Sequence, residues 1–200
     1  MKYIIIGICS FLIAYLFDFV SLKKIPLAKL AIGGAAGILG GYSTTMVYMQ
    51  KEKFFLPLYL SHLGWFLLVV CIFLLFYSLF WEIPFRKTYA LKGVGDKLIK
   101  TGTYALVRHP GVIWYALLLV ALLLISRSKL FLIAAPIWIF MDILYAFIQE
   151  KFYFPKMFPG YEEYEKETPM LIPTRKSLAS FLASFGKRRL KNEEERLGRR

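Results

Sequence analysis

The sequence predicts an all-α integral membrane protein with about five transmembrane helices and a polar pocket at one end of its C-terminal half. Three observations predict it. Of 200 residues, 58% are hydrophobic, too many for an ordinary soluble domain of this length. The apolar residues collect in runs close to the roughly 20 residues a helix needs to cross a bilayer. The basic residues collect in alternate connections between those runs.

The spans, in order, are Tyr3–Val20, Ile25–Met49, Leu56–Phe80, Gly111–Ile125 and Leu130–Gln149. The first follows Lys2 as a signal peptide would. Asp18 and Phe19 stand where a small-residue cleavage site belongs, so it reads as a retained helix. The second carries "GGAAGILGG", which sets Gly33, Gly37 and Gly41 four residues apart on one face. Small faces let helices approach closely, so helix packing is the expectation there. The third holds His62 and the fifth Asp142, polar groups inside spans and therefore candidates for function or for a bond to a neighbouring helix. Cys9 and Cys71 lie within spans with no disulfide or ligand spacing and read as packing residues. The fourth run is short and is expected to gain a turn on its N-terminal side, spanning about 105–125. Only "SRSK" joins it to the fifth, which predicts a tight antiparallel hairpin.

A net charge of +13 raises the question of nucleic acid, and its distribution answers it. Counting connections alternately, 21 of the 26 Lys and Arg residues fall on one side and five on the other: Lys2, Lys51, Lys53, Arg127 and Lys129. The positive-inside rule then predicts an external N-terminus and a cytoplasmic C-terminus. Attraction to anionic headgroups is a secondary consequence, and no nucleic-acid partner is expected.

Residues 1–174 form one transmembrane domain with no repeat, and 175–200 a basic tail. Within the domain, the hairpin of the last two spans sets Arg108 and His109, which open one, beside Gln149 and Glu150, which close the other. A cation, an imidazole and a carboxylate thus meet at the membrane boundary. Residue types alone also allow a bland interfacial ion pair with a snorkelling arginine. Against that reading, Gly102 and Pro110 fix unusual backbone, and Tyr104, Tyr161 and Tyr164 bring hydroxyl-bearing rings to the same corner.

"LIKTGTYALVRHP", followed about 40 residues later by "QEKFYFPKMFPGYEEYEKETPMLIP", resembles the isoprenylcysteine carboxyl methyltransferase and phospholipid methyltransferase superfamily. The likeness covers residues 98–173. It implies an integral membrane enzyme that binds S-adenosylmethionine at the cytoplasmic ends of its last helices. Carried over by position, Arg108, His109 and Pro110 correspond to the cofactor motif and Glu150 to the second of a Glu pair. Tyr161 and Tyr164 correspond to the later tyrosines, and Thr168, Pro169, Ile172 and Pro173 to the ending. The resemblance makes Arg108 and Glu150 the catalytic candidates. Gly102, Tyr104, Arg108, His109, Pro110, Glu150, Tyr161 and Tyr164 become the cofactor-binding set. The chain departs from the family pattern at Val112, Trp114, Gln149 and Glu167, so the cofactor site reads as kept and the substrate site as divergent.

The expected chemistry is in-line displacement at a sulfonium methyl group by an oxygen, nitrogen or sulfur of a lipid-like or prenylated acceptor. Such a transfer depends on positioning and desolvation more than on acid–base help. His109 is expected to donate a hydrogen bond, and with no second His or Cys at ligand spacing no metal is expected. Two rivals share the corner. A membrane sterol or enone reductase would hold NADPH there, with Lys97 and Lys100 available to a 2′-phosphate. A scaffold with a decayed site would hold neither cofactor.

The tail carries nine basic and three acidic residues, six of the 13 net charges in 26 residues. Leu178, Phe181, Leu182 and Phe185 recur at helical spacing. The expectation is a short amphipathic helix on the cytoplasmic leaflet, weighed evenly against a solvated charged tail.

Overall fold

The computed structural model describes residues 1–23, 25–83 and 98–184. Four long apolar helices are able to cross a membrane, with a shorter one between them. They are α1 (Lys2–Leu22), α2 (Pro26–Tyr48), α3 (Leu58–Phe76), the shorter α5 (Pro110–Ser126) and α6 (Lys129–Ile148). Short helices α4 (Thr103–Leu106), α7 (Phe154–Met157) and α8 (Tyr161–Glu167) gather where α5 begins, and α9 covers residues 175–184. The chain is thus a multi-pass, all-helical membrane protein. Its lipid-facing residues are apolar; Leu27, Ile38 and Val69, for example, lie more than two-thirds exposed.

The fourth span departs from expectation. Residues 105–109 do not extend it: Val107 is extended, and Pro110 takes the first helical position of α5. Proline lacks the N–H that a first turn leaves unpaired in any case, so a helix starts there readily, while the residue before it is pushed out of helical geometry. The predicted turn exists as the separate helix α4. At the other end Arg127 adopts a left-handed conformation (φ 53°) and closes the tight connection to α6. Two backbone bonds, from Phe54 N–H to Arg127 O and from Lys129 N–H to Glu52 O, tie this hairpin to the α2–α3 connection.

Packing is densest toward that hairpin. Ile4, Val47, Leu119, Phe131, Ala134, Ala135 and Trp138 form a buried cluster joining α1, α2, α5 and α6. Trp138 donates its indole N–H to Ile4 O at 3.3 Å and lies so close to Gly7 that a side chain there would collide with the ring. Elsewhere α1 packs along α2 and α3 along α5, while α2 and α3 scarcely touch. Between the two pairs a cavity of about 1020 Å³ runs from the α5 start down past Leu118 and Leu68 toward Tyr48 and Ile125.

The small-residue face of α2 divides between two roles. Gly33 and Gly40 meet Phe17 and Ser10 of α1, as packing requires. Gly37 and Gly41 line the cavity, and a methyl added at either would touch nothing within 4 Å. The packing expectation therefore holds for Gly33 and is corrected for Gly37 and Gly41. His62 is also corrected: it faces outward, while its neighbour Ser61 turns in and donates to Leu124 O. Cys71 is buried as expected, whereas Cys9 is exposed on the outer face of α1.

Candidate functional site

Two π-helical turns shape the corner. Tyr77–Glu82 continues α3, and Gln149–Tyr153 continues α6. A π turn adds a residue to the helical repeat and turns the side chains after it, a feature frequent at functional sites. One delivers Glu82, the other Glu150.

Glu150 is the hub. It accepts from Arg108 Nε at 2.7 Å on Oε1 and from Arg108 Nη2 at 2.6 Å on Oε2, a bidentate pair. His109 Nε2 lies 3.1 Å from Oε1, which requires that nitrogen to carry its proton, and the Tyr161 hydroxyl donates to the same oxygen at 3.2 Å. Three of these donors converge on Oε1, whose two lone pairs they share, while Oε2 takes Arg108 Nη2 alone. Arg108 spends its other nitrogen on the chain ending: Nη1 donates to Thr168 O at 2.5 Å and to Glu165 O at 2.9 Å. Both side chains of the pair are more than nine-tenths buried. Burial opposes the guanidinium charge, yet the bonds and charge of Glu150 outweigh it and hold Arg108 above its ordinary pKa.

The backbone repeats the same pairing. Arg108 N–H donates to Pro169 O at 2.9 Å and His109 N–H to Met170 O at 3.1 Å, so the "RHP" and "TPM" segments lie side by side. The His109 ring stacks on Phe154 at 5.6 Å with planes 9° apart, and Phe154 meets Tyr161 edge-on at 5.4 Å. Tyr164 donates to Tyr104 O at 2.5 Å, and Tyr104 donates to Ser78 O at 3.3 Å. Burial, with the Glu150 charge adding, pushes the Tyr161 and Tyr164 hydroxyls above the usual phenol value, so both remain protonated donors.

Every site residue expected from the sequence therefore lies at one corner. Tyr104, Arg108, His109, Pro110, Tyr161 and Tyr164 also line the upper cavity, with Glu150 behind them. Gly102 stands apart in role: its backbone (φ 65°, ψ −137°) suits glycine alone. Any side chain there would strike the Glu82 carboxylate. Lys100 reaches Gly160 O at 3.4 Å and lies over the Tyr164 ring; Lys97 is outside the described residues.

Three residues with structural weight at the site escaped the sequence reading. Glu82 accepts from the Thr103 N–H and hydroxyl, pinning the "TGTY" turn to the end of α3. Its position after a span and before a charged loop was the available signal. Asp18, considered only as evidence against cleavage, is buried and accepts from Gln149 Nε2 at 2.9 Å. That bond gives the departure at Gln149 a physical reason: a glutamate there would face a second carboxylate. Ser184 of α9 accepts from Gly102 N–H at 3.2 Å, so the first part of the tail docks on the corner.

A family model described as a protein of unknown function (DUF1295) matches residues 42–168, more than half of the chain and from the end of α2 through α8. No curated protein and no solved structure matches it. The matched region holds Glu82, Arg108, Glu150, Tyr161 and Tyr164, the network just described. This chain is a member of the DUF1295 family.

Proposed function

We propose that the protein is an S-adenosylmethionine-dependent methyltransferase acting on a lipophilic acceptor, with its corner and C-terminus on the cytoplasmic side. The observation that carries this reading is the Arg108–Glu150–His109–Tyr161 network standing at the mouth of a cavity that continues into the membrane. Its volume is at the upper end of the roughly 300–1,000 Å³ usual for small-molecule sites, room for a polar cofactor and an apolar partner together.

The residues present fit the cofactor. His109, Phe154, Phe158 and Tyr161 offer aromatic surface at the cavity mouth, with His109 and Phe154 stacked and Tyr161 edge-on to Phe154, and Tyr104 and Tyr161 offer hydroxyls beside it. When bound, the cofactor supplies a methyl group on a sulfonium that leaves as a neutral thioether. Arg108 and Glu150 are positioning residues, since their mutual bonds lock the start of α5 against the end of α6 and hold the His109 and Tyr161 rings in place. The apolar walls formed by Leu75, Leu79, Leu118 and Leu122 exclude water from the reacting groups. An acceptor reaches the site sideways from lipid, through the loosely joined α2–α3 face.

The reductase reading is less well supported. A 2′-phosphate needs clustered free cations, and among the described residues Arg108 is committed to Glu150 and Lys100 lies against Gly160 O, Lys97 being outside them. Titration calorimetry of S-adenosylhomocysteine and of NADPH on protein in lipid nanodiscs tests the choice. Binding of the former is expected. Binding of NADPH alone would assign the reductase, and binding of neither a non-catalytic scaffold.

A further inference from the structure

Asp142 lies on α6 six residues before Ile148, about 9 Å below the corner at 1.5 Å per residue. It lines the cavity and takes no part in the Glu150 network. No described residue donates a hydrogen bond to its carboxylate; its charged and titratable surroundings are the phenols of Tyr15 and Tyr115. The Tyr15 hydroxyl is itself buried without a partner among the described residues. Arg108 is the only cation among the described residues lining the cavity, and Glu150 already takes its charge. A carboxyl group inside a span costs a few kcal/mol unless something in the protein or its ligand pairs with it. Tyr115, which feels the Asp142 charge, meets the Phe11 ring edge-on at 6.2 Å between ring centres, and both line the cavity together with Tyr145, three residues along α6 from Asp142. An acid in a cavity that aromatic rings also line is the chemistry that recognises an ammonium group.

We propose that Asp142 anchors the amine of a lipophilic ligand, whose apolar chain fills the cavity beside Gly37 and Gly41. The small α2 face leaves width for that chain, and Asp142 with the aromatic rings that line the cavity receives the cation. A carboxylate-bearing ligand of equal length meets repulsion there, and an alcohol gains no ionic contact. The inference goes beyond the methyl-transfer reading: it assigns a binding site for a lipophilic cation, and its test rests on ligand binding alone.

The probes are dodecylamine, dodecyltrimethylammonium, dodecanol and dodecanoate, each titrated into full-length protein in zwitterionic nanodiscs and read by tryptophan fluorescence, Trp65 being on the cavity wall. The wild type should hold both cations about tenfold or more tightly than the alcohol, and the carboxylate least. Asp142→Asn, which removes a charge from mid-span, should abolish the preference while leaving dodecanol binding within about threefold. Equal binding of amine and alcohol by the wild type overturns the proposal whether or not the variant can be purified; so does a preference that survives in Asp142→Asn. S-Adenosylhomocysteine binding in the same preparation separates the two ideas. Its loss alongside an intact amine preference sinks methyl transfer alone, and its presence without amine preference sinks this site alone.

Discussion

Arg108 places four hydrogen bonds from its five N–H donors within the protein, two on Glu150 and two on the carbonyls of Glu165 and Thr168. A residue so committed organises the site before any ligand arrives. Arg108→Ala leaves Glu150 buried and half unpaired, a change worth about 3–5 kcal/mol; the variant should unfold at lower temperature in a detergent melt. Arg108→Lys keeps the charge but loses the fork, which one ammonium cannot replace. Folded Arg108→Lys and Glu150→Ala protein should bind S-adenosylhomocysteine on the order of a hundredfold more weakly, equivalent to about 2.7 kcal/mol. Lys176→Ala, on the exposed side of α9, should match wild type. Full affinity in both corner variants would place the cofactor elsewhere.

At the scale of elements, α1 joins the corner through buried Asp18, which takes hydrogen bonds from Gln149 and Tyr145. Gln149→Glu would restore the doubled glutamate of the methyltransferase pattern, at the cost of setting two carboxylates against each other. Like charges at that spacing cannot both ionise, so the variant should lose about 1–2 kcal/mol, and Asp18→Asn should relieve it. A double-mutant melt checks this, and additive effects would mean the contact is absent. The tail is the second case. In α9 Ser177 and Phe181 turn inward while Leu178 and Leu182 are exposed; Phe185 and the basic run after it lie outside the described residues. An exposed apolar edge beside a basic segment suits an anionic leaflet. A peptide of residues 175–200 should gain helicity on anionic vesicles, less on neutral ones, with salt weakening it. Circular dichroism unchanged on both would leave the tail a solvated chain.

For the whole molecule, a corner built from both ends of the α5–α6 hairpin fixes the network on one side of the membrane, whichever side that is. By the positive-inside rule, the 21-to-5 basic asymmetry predicts the cytoplasmic side. A C-terminal reporter should be accessible only from inside, and labelling from outside would move the whole site to the opposite face. The bundle's uneven packing, tight at the hairpin turn and open toward the corner, leaves a cavity whose polar mouth is the corner itself.

The sequence by itself determined the spans, the hairpin and the meeting of Arg108 with Glu150, because apolar run length, charge asymmetry and a four-residue connection are local quantities that leave few arrangements open. It could not show that four donors converge on Glu150, or that Asp18 and Glu82 serve the corner. Those contacts join residues 131 and 21 positions apart, and π-helical turns that no periodicity reports aim two of the carboxylates. The glycine face shows the same division. Its spacing announced a small surface, but whether a helix or a cavity meets that surface depends on how far α2 stands from α3. Only the tertiary packing decides that distance, since it depends on every side chain between the two helices at once.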